Sequence, residues 1–188
     1  LRWIYHRSPL LRHDSRLYLK PRFLHVCHDL LVREHPEVFR IYQGQIEFRS
    51  RGSLMSVQGY YVGEIEYHLV QYLLGHLRPG FAMIDVGAHH GVFSLIVAHE
   101  LRSRRWPGTI HSFEPSPENF ALLTHNVRAN GLGDYVVLHH AAVAETCGRC
   151  NLVMLNDDNS GNFLEAAGAP SGADAAHPTT IQEVPVTS

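Results

Sequence analysis

Phe81-Ala82-Met83-Ile84-Asp85-Val86, followed at once by Gly87-Ala88-His89-His90-Gly91, is the stretch on which the reading of this chain turns. A short apolar run that ends in a carboxylate and then in glycines has the form of a strand buried on both faces. After Gly91, the segment Val92-Phe93-Ser94-Leu95-Ile96-Val97-Ala98 stays mostly apolar as far as Leu101 and predicts a helix. Strand, glycine turn and helix follow one another without a gap.

Downstream, the same alternation repeats. A second strand, Thr109 to Phe113, ends at Glu114; Ser116 is placed to cap a helix with Pro117 at its first position and Glu118 in its first turn. That helix buries Phe120, Leu123 and Val127 and stops at Asn130-Gly131. A third strand is expected from Tyr135 to Leu138, and Asn151 to Leu155 reads as a fourth, antiparallel one after a turn at Gly148. Upstream, Ile65, Leu69, Val70, Leu73, Leu74 and Leu77 recur at helical spacing until Arg78-Pro79-Gly80 stops the helix. Strands alternating with helices predict an α/β fold with a doubly wound, mostly parallel sheet and right-handed crossovers.

Three segments follow from composition. Residues 1–58 are a lead-in of aromatic and basic residues with Pro9, Pro21 and Pro36, a short helical stretch from His25 to Arg33, and alternation at Gln45-Ile46-Glu47-Phe48. Residues 59–155 hold the alternating core, and 156–188 turn to Gly, Ala, Pro, Asp and Ser, a loop between elements or a flexible end in which only Ile181 to Val186 looks strand-like. With 188 residues, 45% of them hydrophobic and 18% charged, one core is expected. A formal charge of -2 does not favour nucleic acid, although Arg2, Arg7, Arg12, Arg16, Lys20 and Arg22 make the start locally basic. Three cysteines make no disulfide framework, no Asn-x-Ser/Thr sequon and no long apolar run occur, and a reducing, cytoplasmic setting is the expectation. The chain begins at Leu1, so its first residue is not expected to be the protein's own start.

In an open parallel sheet the ligand sits beyond the carboxyl ends of the strands, so Asp85 and Glu114 are expected to face one crevice. Gly87 lets the backbone turn sharply against a ligand, and Gly91 lets the next helix pack closely with its N–H groups turned to that ligand. An acid at the end of the second strand suits the two hydroxyls of a ribose. A dinucleotide fingerprint starting at Gly87 needs glycine where His89 and Val92 stand, and no Gly-x-x-x-x-Gly-Lys-Ser/Thr loop exists. What remains is a nucleoside carrying a cationic amino-acid group, whose ammonium Asp85 would attract.

Asp85-Val86-Gly87-Ala88-His89-His90-Gly91-Val92-Phe93-Ser94, then Phe113-Glu114-Pro115-Ser116-Pro117-Glu118-Asn119-Phe120, then Leu123, Asn126 and Asn130-Gly131, resembles the FkbM-type methyltransferase pattern over roughly residues 60 to 155. The resemblance implies a class I, Rossmann-like fold that uses S-adenosylmethionine to methylate a hydroxyl of a small molecule or glycan. It implies that Asp85 and Gly87 hold the methionine part, Glu114 the ribose, and Ala141 the adenine surroundings, with Ala88, His89, Gly91 and Pro115 completing the cofactor set. The family usually carries Asn where His89 stands. It also continues with a strand bearing a Lys-Ile-Asp-x-Glu-Gly-like motif, which does not occur before Ser188; the sheet is therefore expected to be incomplete on its C-terminal side, and no catalytic base is assigned. The rival readings are an NAD-type oxidoreductase on a similar sheet and a degenerate, non-catalytic binding domain.

Other candidates carry plainer readings. Cys147-Gly148-Arg149-Cys150 has metal-ligand spacing, but only the distant Cys27 could join it, so a hairpin turn is expected and no metal. The pairs His89-His90 and His139-His140 could seat a proton relay, though half-exposed loop histidines are commoner. Tyr60, Tyr61 and Glu64 read as packing residues before cleft residues.

Overall fold

The computed structural model describes residues 38–51, 67–154, 163–166 and 180–188, which lie within one compact unit spanning 37–188. The helix expected at His25 to Arg33, the basic residues from Arg2 to Arg22, Cys27, Tyr60, Tyr61, Glu64 and Ile65 fall outside the described residues.

The core unit matches the expected alternation. Strand β3 (Phe81–Val86), helix α2 (Val92–Ser103), β4 (Gly108–Phe113), α3 (Pro117–Ala129) and β5 (Val136–His139) follow in order, preceded by α1 (Tyr67–Gly75) and a hairpin of β1 (Val38–Ile41) and β2 (Ile46–Arg49). The three strands β3-β4-β5 form a parallel sheet in that order, with Asp85 opposite Ser112 and Val86 opposite Phe113. Ser116 caps α3 by accepting from the Asn119 amide at 3.5 Å, with Pro117 at the first position, where its missing N–H costs nothing. The third strand lies one residue later than Tyr135 to Leu138, a normal uncertainty of strand ends.

One expectation is corrected. Strand β3 is not buried on both faces: Phe81, Met83 and Asp85 are half-buried, whereas Ala82, Ile84 and Val86 are exposed, Ile84 at 70%. The cause is topological. Two right-handed crossovers that advance the chain in one direction put α2 and α3 on the same face of the sheet. Leu95, Val97, Ala98 and Leu101 of α2, Ile110 of β4, and Leu123 and Val127 of α3 fill that face, while among the described residues β3 has a strand neighbour only at β4.

The hairpin belongs to the same core. Phe39, Ile41, Ile46 and Phe48 are buried with the residues of α2 and α3, and two asparagines one helical turn apart hold the hairpin in place. Asn126 accepts from the Arg49 amide at 2.8 Å and donates to the Arg49 carbonyl at 2.9 Å and to the His90 carbonyl at 2.9 Å. Asn130 does the same for Glu47, accepting at 2.9 Å and donating at 2.7 Å. Side-chain amides thus take the place of a neighbouring strand. Asn126→Ala should cost about 2–3 kcal/mol in urea unfolding, because it strands a buried N–H and two carbonyls at once; an unchanged unfolding midpoint would show that water replaces all three bonds.

A second sheet runs in the order β6-β9-β7-β8, from β6 (Ala142–Val143), β7 (Gly148–Met154), β8 (Phe163–Ala166) and β9 (Thr180–Thr187). Here three readings change. Gly148, Arg149 and Cys150 are not a hairpin turn but the start of β7, because the antiparallel ladder to β9 opens at Gly148 opposite Val186. The strand expected from Asn151 to Leu155 is antiparallel as expected, but it is the later part of β7, which starts earlier, and it pairs in this second sheet. The segment after Asn156 carries two strands, β8 as well as the expected β9, since Phe163 to Ala166 completes the edge of β7. Ala142, Cys150, Leu152 and Val184 form its small core.

Candidate functional site

The loop between β3 and α2 is shaped by its own backbone. Gly87 and Ala88 both donate to the Phe113 carbonyl at 2.9 Å, which folds the loop over the end of β4, and the Gly91 amide closes the turn onto the Ala88 carbonyl at 2.7 Å. Gly87 has φ +73° and a Cβ placed there meets nothing within 4 Å, so the backbone is open on that side. Gly91, at φ +90°, is the N-cap of α2, where a Cβ would stand 2.4 Å from Leu123 Cδ1. The first glycine faces space and the second faces packing.

His89 also adopts a left-handed conformation, φ 53°. Asparagine tolerates that region better than most residues, which gives a backbone reason for an amide side chain at this place. The His89 ring lies 3.7 Å from that of His90, and His90, buried, meets Ser50 Oγ through Nδ1 at 2.9 Å.

Glu114, only 5% exposed, joins the loop to α3. Its Oε2 accepts from the His89 amide at 2.8 Å, and its Oε1 accepts from the Ser116 amide at 3.0 Å and from Asn119 Nδ2 at 3.4 Å. A carboxylate has about four acceptor positions, so about one stays open to a ligand hydroxyl, and a second ribose hydroxyl would have to displace a protein donor. Asp85, half-buried on the helix-covered face, accepts from Ser94 Oγ at 2.5 Å, and Ser94 Oγ lies 2.7 Å from Ser112 Oγ. Burial pushes the Asp85 carboxyl above the usual carboxylate range, against the pull of hydrogen bonds from the Ser94 hydroxyl and amide.

The remaining wall follows β5. Pro115 and Ala141 are both half-buried, and His140 bridges toward them, its Nε2 3.2 Å from the Pro115 carbonyl and its ring stacked on Phe120 at 4.6 Å. His139 stacks on Phe113 at 4.2 Å and meets His111 Nδ1 at 2.9 Å; burial, then His111, hold its imidazole below the usual histidine range. Asp85, Gly87, Ala88, His89, Gly91 and Glu114 are therefore brought together around one loop, with Pro115 continuing from Glu114. Ala141 follows β5 on the strand side.

Several residues of this arrangement had no role from sequence alone. Ser94, Ser112, Asn119 and Ser50 were unassigned, and their one signal was polarity inside otherwise apolar segments. His111 gave none, since its partner is 28 residues away on another strand. Cys147 is exposed and Cys150 buried, and among the described residues no group of three or more His, Cys, Asp or Glu could hold a metal ion.

Residues 85–188, more than half of the chain, match the profile of the methyltransferase FkbM domain. The chain belongs to this family. No curated protein matches this FkbM domain chain. Among solved structures it is similar to an S-adenosylmethionine-dependent methyltransferase from Agrobacterium tumefaciens (14% identity, TM-score 0.42, 58% of this chain and 34% of that one). A geranyl diphosphate methyltransferase in complex with geranyl diphosphate and sinefungin (17%, TM-score 0.34, 63% and 42%) is also similar. So is geranyl diphosphate C-methyltransferase from Streptomyces coelicolor A3(2), in complex with Mg2+, geranyl diphosphate and S-adenosyl-L-homocysteine (12%, TM-score 0.33, 61% and 42%). The FkbM domain chain spans 34% to 42% of the length of these three.

Proposed function

We propose that the loop from Asp85 to Gly91 and the acid Glu114 bind S-adenosylmethionine, and that the protein is a methyltransferase acting on a hydroxyl of a small molecule or glycan. The observation that carries this reading is the 2.8 Å bond from the His89 amide to Glu114 Oε2, which joins the glycine loop after β3 to the acid after β4 at one rim of a parallel sheet. A ligand at that rim meets an acid on either side, Asp85 for an ammonium and Glu114 for a ribose hydroxyl, with Gly87 open between them. When bound, S-adenosylmethionine supplies an electrophilic methyl group to the acceptor oxygen. The residues of this chain bind and orient it, and transfer of this kind depends mostly on proximity and alignment. Pro115 and Ala141 are read as the adenine surroundings, where His140 and Phe120 already stack. Among the described residues no helix is long and apolar enough to cross a membrane, and with Cys147 and Cys150 free we read the setting as cytoplasmic.

Calorimetry tests this directly. S-adenosylmethionine should bind with micromolar affinity, on the order of -8 kcal/mol, and NAD far more weakly; the reverse order would favour an oxidoreductase. Gly87→Ala should cost the fold only about 1–2 kcal/mol of left-handed strain, because its methyl group enters open space. Cofactor affinity should nevertheless fall at least about tenfold. Equal affinity for both proteins would place the ligand away from the loop.

A further inference from the structure

Ser94 is fully buried in the first turn of α2, in a stretch whose other inward residues, Leu95, Val97 and Ala98, are apolar. Such a place holds a polar group only when its bonds are satisfied. Ser94 Oγ lies 2.5 Å from Asp85 Oδ2 and 2.7 Å from Ser112 Oγ, and Ser112 on β4 is fully buried too. We propose that Ser94, backed by Ser112, is a positioning residue that fixes the Asp85 carboxylate and keeps it charged for the ammonium of the cofactor, an inference that rests on the reading of Asp85 given above.

The direction of the chain is dictated by proton counting. An ionised carboxylate only accepts, so the single hydroxyl proton of Ser94 goes to Asp85; Ser94 must then accept, and Ser112 donates to it. Both hydroxyl dipoles point at the charge. When Asp85 takes up a proton, that alignment is lost, so the serine pair favours the charged form while burial opposes it. Among the described residues no charged side chain contributes to the balance at Asp85. The titratable and charged groups on the elements around it are His89 and His90 in the loop, Glu114 after β4, His111 on β4, and His99, Glu100 and Arg102 more than a turn beyond Ser94 on α2, where His99 meets Gln45, Glu100 pairs with Arg104 and Arg102 donates to the Asn130 carbonyl. Of these, His111 belongs to the opposite face, Glu114 accepts from Ser116, Asn119 and the His89 amide, and His90 meets Ser50. Asp85 therefore depends on two serines that never touch the ligand.

Two measurements on the full chain test this. In the ligand-free protein, carbon-13 NMR of the Asp85 carboxyl should show a titration midpoint above that of an ordinary aspartate, raised by about a further unit in Ser94→Ala, the size of one lost charge-assisted bond. Ser112→Ala should raise it less, and Ser94→Thr, which keeps the hydroxyl, should restore it toward the parent. In calorimetry, S-adenosylmethionine affinity should fall as pH drops through that midpoint; Ser94→Ala should move the fall upward by the same unit, and Asp85→Asn should flatten it. A midpoint unmoved by Ser94→Ala overturns the proposal. A moved midpoint together with affinity indifferent to Asp85→Asn supports the hold of Ser94 on Asp85 and instead removes the ammonium from Asp85.

Discussion

Glu114→Ala is expected to lower stability by about 4 kcal/mol and S-adenosylmethionine affinity by a hundredfold or more, a larger loss than a purely ligand-facing acid would give. Three donors converge on this carboxylate: the Ser116 amide and Asn119 Nδ2, both buried, and the half-buried His89 amide. Removing it leaves each without an acceptor, at about 1–3 kcal/mol for a buried group, and the costs fall short of additivity because the three share one centre. The loop would also lose its side-chain tether at His89, leaving only the Gly87 and Ala88 amides to hold it to the end of β4. Urea unfolding followed by calorimetry on the folded fraction measures both effects. Glu114→Gln keeps one acceptor oxygen but sets an N–H against one of the donors, and should fall about midway, near 2 kcal/mol. A Glu114→Ala protein that unfolds at the parent midpoint would mean that the three donors are satisfied by water, and would return Glu114 to a role at the ligand alone.

Gly91→Ala is expected to destabilise by about 3 kcal/mol and Gly87→Ala by only about 1–2 kcal/mol, although both glycines lie in the same loop with positive φ. The difference is what stands opposite. A methyl group at Gly91 would press on Leu123 Cδ1, and Leu123 is fully buried in α3, so its side chain must shift inside a packed layer. To the strain of a left-handed alanine is added the displacement of α3 from α2, whose N-terminus begins at that glycine. Thermal unfolding of the two variants side by side separates them. Equal loss in both would show that α3 yields to the methyl group and that backbone strain alone sets the cost.

What could be read in advance divides along a physical line. Strand β3 and helices α2 and α3 were legible because each carries a local signature: an apolar run closed by Asp85 and Gly87, a mostly apolar stretch from Val92 to Leu101, and a Ser116-Pro117 cap. The pairing of Asp85 with Glu114 was legible because parallel topology brings strand ends together. The exposure of Ile84 and Val86 was not, since apolar composition reports that a residue could be buried and says nothing of whether a layer exists to cover it. The hairpin was read only at its second strand, in the alternation from Gln45 to Phe48, for a different reason. Phe39, Ile41, Ile46 and Phe48 alternate as a strand pair should, but each run is four residues long and the turn Tyr42-Gln43-Gly44 needs left-handed backbone at two residues that rarely adopt it. Strand β9 was legible from Ile181 to Val186, whereas β8 was hidden by composition, its apolar residues being too few beside the Gly and Ala around them.

The two asparagines of α3 protect the molecule in a way their stabilising role does not describe. The outer backbone of β2 at Glu47 and Arg49 would otherwise offer alternating donors and acceptors to any extended peptide that came alongside, the usual route by which sheets recruit foreign strands. Asn126 and Asn130 occupy these groups one by one, with the spacing of a helical turn matched to the two-residue repeat of a strand. A strand seeking to join the hairpin must first pull four hydrogen bonds from a folded helix. A designer wishing to quiet an exposed sheet margin could copy the device by setting asparagines four apart on a neighbouring helix.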